Sequence, residues 1–521
     1  MNSVLDVLNR VLDEQVIYTD SAILELYSQD VFGDGLKVAA VVRPSREQEV
    51  IDLVSICRDH GIPLITRGGG MSYTSGYLAT QADSVLIDTA ALNRVLEINQ
   101  QDAIVTVQVG VTWQQLHEAL APLGLTTPFW GTLSGRYATV GGGLSQNGIF
   151  WGSGYHGSAG DNVLSLRVVT GTGDVIDTGA ASQKAGSPFC SYFGPNLTAT
   201  FVGDCGAFGI KLAATLPLIP AAKHKGFSSY AFDNSTDMTL AMSDIARNRL
   251  ASECFGFDPY LQKQRMKRAS LAADVKQFTG VVKAESGIVN KVVNSAKLVF
   301  SGRRFMDDVT WSFSTFSEGR TQAEADYQVA EIRKICAKHR GRELPDSIPR
   351  LISANPFGPV NNMVGAEGER WLPVHALVPH SKAQAGIACI EGVFAANSEI
   401  MAKYGIETGY LIATVSQQVT VLEPVFFWPD SLNALHKHSL EQDHLARLHQ
   451  FDAVPGAWDA VNAIKHELVK ALSDFGAVHF QLGKAYLYQE GLRTEAAAVI
   501  AVLKRTYDPK GIMNPGVLGF N

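Results

Sequence analysis

Residues 141–175 read GGGLSQNGIFWGSGYHGSAGDNVLSLRVVTGTGDV: three glycines, an aromatic cluster, a lone histidine and an Asp-Asn pair ahead of a β-branched run. Backbone freedom beside so many polar and aromatic groups has two readings. The stretch is either an over-long structural loop or a place where main chain comes close to a flat, polar ligand. Two more clusters bear on the choice: RGGGMS at 67–72, straight after the apolar run IPLIT, and GDCGAFGI at 203–210. A tight turn needs one glycine or two, whereas successive small residues let consecutive N–H groups converge on an anion. No Gly-Lys-Ser/Thr follows the first cluster, and it does not open a helix as a G-x-G-x-x-G turn would. Three clusters in one half-chain, each beside an expected strand, point to main chain wrapped around one long cofactor.

The chain around them is that of a large soluble protein. Its 521 residues, 46% apolar and 18% charged, suffice for two or three domains with sizeable cores. A net charge of -7 offers no basic face for nucleic acid. Six cysteines without C-x-x-C spacing read as isolated buried thiols of a reducing compartment. No run of ~18 apolar residues marks a membrane span and no signal-type segment opens the chain, so the cytoplasm is expected.

Outward from the glycines, VAAVVRPS (38–45) reads as a strand stopped by Pro44. A helix capped by Ser45 follows, with Val50, Leu53, Val54 and Cys57 at helical spacing up to Gly61. IPLIT, SVLIDTAAL and the pair in RVLEINQQDAIVTVQV read as strands. NVLSLRVVTGTGDVID reads as two strands turning at Gly171-Thr172-Gly173. Beyond Pro220, long polar helices alternate with apolar strands, as in an α+β domain of its own. The last piece begins with GAVHFQLGKAYLY, read as a strand, and ends in a helix and a Pro/Gly tail.

Taken in order, VVRPSREQEVIDLVSICRDHGIPLITRGGGMS, ATVGGG…HGSAGDNVLSLRVVTGTGDV, GDCGAFGI and DPKGIMNPG resemble the FAD-binding flavoproteins of the vanillyl-alcohol oxidase and p-cresol methylhydroxylase family. The resemblance implies an α+β protein with a discontinuous, two-subdomain FAD-binding domain (1–220 and 476–521) and an α+β substrate cap (221–475). It assigns Arg67, Gly68, Gly69, Gly70, Met71 and Ser72 to the FAD pyrophosphate, with Pro44 nearby. It brings Thr139, Val140, Gly141, Gly142 and Asn147 toward the pyrophosphate and flavin. Gly203, Gly209 and Ile210 would lie on the ribityl and adenosine side, Asn514 over the flavin, and Tyr155 and His156 toward its edge. A small-molecule substrate, dioxygen or another electron acceptor, and a homodimer are the expected partners.

The departures are as informative. Many relatives link FAD covalently through a histidine where this chain has Met71, and no cysteine lies between Trp130 and Gly143 for a second link. The cap positions that link FAD in others are Gly368, Glu369 and Arg370 here, with His375 as the nearest histidine. Non-covalent FAD is expected. The Tyr-Arg pair that holds phenolate in the phenol-oxidising members is replaced by Phe480 and Gln481, and neither stabilises an anion as an arginine does. On an alternating strand, His479, Gln481 and Lys484 would face the flavin and substrate together. His375, His479 and Glu423 are the candidate bases for oxidation of an alcohol, aromatic or lignin-related. Phe426 and Trp428 pack the cap core or, alternatively, wall the substrate pocket. HKHSLEQDHLARLH (436–449) reads as a polar helix rather than a metal site. Two rivals stand beside this reading. One is a 2-hydroxyacid dehydrogenase with Arg370 or Arg350 as carboxylate clamp and a quinone or cytochrome acceptor; the other is a catalytically silent FAD-binding subunit.

Overall fold

In a computed structural model, residues 3–268 and 311–520 are described. The first glycine cluster hangs from a small sheet of three parallel strands. Ala40–Val42, Val85–Asp88 and Leu64–Arg67 lie side by side in that order, with Ile17–Tyr18 antiparallel at the edge. The helix Glu47–His60 connects the first of these strands to the third and buries Val50, Leu53, Val54 and Cys57 against them. Its start differs from the expected Ser45 cap. Arg46 is the N-cap residue, and the Glu49 carboxylate accepts from the N–H groups of both Ser45 and Arg46. Gly61, at φ +65°, ends it.

A second, wholly antiparallel sheet runs Val95–Asn99, Ile104–Gln108, Gly209–Pro217, Ser165–Thr170, Val175–Asp177. The third glycine cluster therefore leads into its central strand, and the turn at Gly171–Gly173 joins its last two. Val169, Ile210 and Leu212 from this sheet share one core with the helix Glu47–His60, which fixes the two sheets against each other.

Among the described residues the cap sheet has eight antiparallel strands, drawn from 224–257 and 311–428. Successive side chains of a strand point to opposite faces, and its hairpin Glu407–Val415/Val419–Trp428 shows it plainly. Tyr410, Ile412, Leu422, Phe426 and Trp428 meet the helices Ser235–Arg247, Ala383–Ala396 and Ala457–Phe475 on one face. Val425 and Phe427 pack from the other face onto the antiparallel sheet of the first half, together with Phe255 and Phe316. The bland reading of Phe426 and Trp428 as cap core is the observed one.

Residues 476–487 are not the expected strand. Val478 makes one bridge to Leu377, and the rest is turns, with Gln481 at φ +53° and Gly483 at φ +52°. The helix Thr494–Tyr507 then returns the chain to the first sheet, where Met513 bridges Leu64 in parallel. Among the described residues no single helix is long and apolar enough to cross a membrane.

Candidate active site

Between the glycine clusters and the cap lies a cavity of about 280 Å³. Its floor is main chain: Gly68–Gly70, Gly76, Gly141–Gly143, Gly148, Gly206 and Gly209 all line it. At most of these positions a side chain would collide with its surroundings. A Cβ on Gly69 would overlap the Tyr137 carbonyl oxygen, one on Gly68 would lie 2.5 Å from Thr139 Oγ1, and one on Gly141 2.6 Å from Val109 Cβ.

The clusters differ in what they offer. The N–H groups of Gly68, Gly69, Gly70, Met71 and Ser72 donate to no described protein group, so five consecutive donors border the cavity. Thr139, by contrast, caps the short helix Val140–Gln146, and Gly141, Gly142 and Gly143 donate to Val109, the Thr139 hydroxyl and the Thr139 carbonyl. The second cluster thus supplies close approach rather than free donors. A run of unspent main-chain donors opposite a wall without Cβ atoms fits a buried diphosphate and a flat ring. These residues fit FAD.

Several expected contacts lie elsewhere. The Arg67 side chain stacks under the loop on Tyr27 and Tyr77, 4.4 and 5.4 Å from their ring centres, and does not line the cavity. Tyr77 in turn donates to the Gly70 carbonyl, so Arg67 braces the loop from behind. Pro44 ends a buried strand, while Val140 and Ile210 are core residues; none of the three reaches the cavity. Tyr155 and His156 sit on the short helix Ser153–His156 against the cap strand Glu253–Phe257. There Ser252 accepts from Gly154 and the Tyr155 carbonyl from Arg249, away from the cavity. The glycines before His156 serve this packing, since a Cβ on Gly154 would crowd the Ala251 and Ser252 carbonyls. Asn147 and Gly203 line a separate cavity. Asn514 is 1% exposed and acts as a tie: it donates to the Gly76 and Cys205 carbonyls and accepts from Lys484. Burial lowers the Lys484 pKa to about 8.

The opposite wall belongs to the cap. Trp371, Leu411, Ala413, Val421 and Glu423 project from neighbouring strands on the face away from the helices. His375 sits in the gap between the strands Arg370–Pro373 and Ala376–Pro379, which pair the same partner strand in one continuous register. That register sets His375 across from Glu423, with Nε2 3.7 Å from the carboxylate. The Tyr73 hydroxyl, from beyond the first glycine cluster, meets the same nitrogen at 2.7 Å. The Tyr486 hydroxyl accepts the His375 main-chain N–H and lies 3.3 Å from Nδ1. Burial first, and His479 second, push the imidazole down to about 3, so the ring is neutral across the ordinary pH range. Burial likewise raises the Tyr73 hydroxyl well above its usual value, with Glu423 adding to the shift.

Of the remaining expected catalytic residues, Gln481 lines the cavity, whereas His479 and Lys484 do not. Because 476–487 is not a strand, these three share no face. Arg370, the proposed clamp, is buried and donates to the carbonyls of Val31, Phe32 and Ser431. Arg350 pairs with Asp346 on the surface. Among the described lining residues the cation is Lys211, held at 2.6 Å by buried Asp204. Sequence reasoning missed Lys211 and Cys205 on this wall; Gln146 is one of the hydrogen-bonding residues that the second cluster offers, and Tyr73, a lesser candidate for the pocket wall from sequence, meets His375. Cavity-facing Leu411 and Ala413 follow from alternation once Glu423 is known to face inward. No group of three metal-binding side chains occurs among the described residues.

Comparison with known proteins agrees with this geometry. Residues 38–179 match the FAD binding domain family. Glycolate oxidase subunit GlcD of Bacillus subtilis is 30% identical over 206 residues, 40% of this chain and 42% of that protein, so the chain spans less than half of that relative. The mitochondrial cytochrome-type D-lactate dehydrogenase of Arabidopsis thaliana is 22% identical over 92% of this chain and 73% of its own. In fold, the chain is similar to p-cresol methylhydroxylase with substrate bound, at a TM-score of 0.74 and 16% identity over 99% of this chain and 96% of that one.

Proposed function

We propose that this chain, whose residues 38–179 form an FAD-binding domain, oxidises a small, uncharged, largely apolar alcohol. The reaction takes place in the cavity between that domain and the cap. The observation that carries the reading is the polar set at the cap end: neutral His375 between Tyr73 and Glu423, walled by Trp371 and Phe480, with no arginine among the described lining residues. A carboxylate substrate would meet the Glu423 carboxylate, and Lys211 is already paired with Asp204. A phenolate would lack a stabilising cation for the same reason.

FAD, when bound, supplies the two-electron acceptor for hydride from the carbinol carbon. The protein's own part is to hold the alcohol and move its proton. Neutral His375 accepts the hydroxyl proton at Nε2, directly or through the Tyr73 hydroxyl, and Glu423 offsets the charge that builds on the ring. The apolar walls exclude water. Met71 offers no nucleophile at the position of the linking histidine, so the FAD is held without a covalent bond.

Anaerobic titration of the purified yellow protein tests this. A benzylic or allylic alcohol should bleach the flavin band, while D-lactate and glycolate should not. His375→Asn should lower kcat by roughly 10²–10⁴-fold at unchanged flavin content. Bleaching by D-lactate would favour the 2-hydroxyacid reading that the sequence relatives suggest, and a His375→Asn variant at full rate would remove His375 from the chemistry.

A further inference from the structure

A second cavity, of about 410 Å³, lies behind the first, and Gln146, Phe480 and Gln481 line both. Two buried polar atoms border it without a described protein partner, Asp204 Oδ2 and His479 Nε2. Asp204 is 2% exposed, and its other oxygen holds Lys211, which lines the first cavity. The role of the imidazole follows from its neighbours. Its Nδ1 meets the main-chain carbonyl oxygen of His375, which can only accept, so the ring proton is on Nδ1. Nε2 is therefore a bare lone pair, and burial lowers the pKa of the ring, which disfavours a second proton. Both unmet groups are acceptors. The surrounding wall mixes apolar side chains, Val202, Phe208, Leu482 and Leu503, with the polar Gln146, Asn147, Thr200 and Gln481. Asp204 is paired with Lys211, and burial works against a charge on His479, so nothing in the cavity calls for a charged guest.

From this we infer a second binding site, for a small uncharged molecule with an apolar body and two O–H or N–H donors, the chemistry of a dihydroxybenzene. Each donor meets one acceptor, a need that an ether or a carbonyl compound of the same shape cannot meet. The site is separated from the alcohol cavity by single side chains and does not depend on the alcohol reading, because its readout is binding.

The test is calorimetric titration of the FAD-loaded protein, without oxygen, with hydroquinone and with 1,4-dimethoxybenzene. Hydroquinone should bind and its dimethyl ether should not. His479→Phe and Asp204→Asn should each weaken binding at least ~10-fold at unchanged flavin content. Leu503→Trp, which fills the space and touches neither acceptor, should abolish it. The inference is overturned if hydroquinone does not bind, if the ether binds equally well, or if Leu503→Trp leaves binding intact. Binding to flavin-free protein alone would overturn it too, since the space would then belong to FAD.

Discussion

At Gly69 and Gly142 the same residue type is present for different reasons. A methyl on Gly69 would run into the Tyr137 carbonyl, whereas the nearest atom to one on Gly142 is Thr139 Oγ1 at 3.3 Å. Gly69→Ala should therefore cost the protein its flavin, and Gly142→Ala should retain most of it, as read by the absorbance ratio of the flavin and protein bands. The cluster reading made from sequence rested on main-chain donors, and Gly68–Ser72 do border a ligand-sized space. It failed for Arg67, Pro44 and Ile210, where a resemblance named positions without saying which way their side chains point. His156 failed for the opposite reason: the glycines around it pack against the cap strand rather than against a cofactor. Met71 carries its own expectation. Acid precipitation should release the yellow colour into the supernatant, and colour that stays with the pellet would reveal a link elsewhere.

Within the hairpin 407–428, period two divides labour between faces. Phe426 is fully buried against the helices and should cost about 3–5 kcal/mol when cut to alanine. Its loss should leave the ranking of substrates unchanged, measured as kcat/KM ratios across alcohols. Glu423→Gln, on the other face, should change that ranking with little effect on the thermal midpoint. This division was legible in principle, since Glu423 and Phe426 differ by an odd number and cannot share a strand face. The segment 476–487 was misread because its alternation imitates a strand, while left-handed residues at Gln481 and Gly483 break any ladder. No local pattern announces a left-handed glutamine. It is held by neighbours such as Gln146, whose carbonyl accepts its N–H.

Across the whole molecule, cap and FAD-binding halves meet through one continuous apolar core, in which Phe255, Phe316 and Phe427 pack among residues of the antiparallel sheet. The expected two-part organisation rests on the composition change after Pro220 and on the return of glycine and proline near the end. The seam's own chemistry was not legible there, since it joins residues far apart in sequence. Glu253 shows this: it accepts from Gly152 across the seam and from Ser252, and burial, then Glu318, raise its pKa. A carboxyl with a raised folded-state pKa gives stability that is full below its unfolded value and lost as pH rises toward the folded one. Glu253→Gln should therefore raise the thermal midpoint at pH ~8 by roughly 2–4 °C per kcal/mol relieved, and should match the parent at pH ~4. A midpoint difference independent of pH would mean that Glu253 is not the titrating group.

The strand that carries the first glycine cluster is completed by Met513, and Asn514 ties that cluster's far end to the third. During synthesis, then, the first and third clusters leave the ribosome long before the residues that hold them in place. Cofactor loading should therefore wait for the final stretch of translation. A chain stopped at residue 475 should carry every glycine of the site and still emerge colourless.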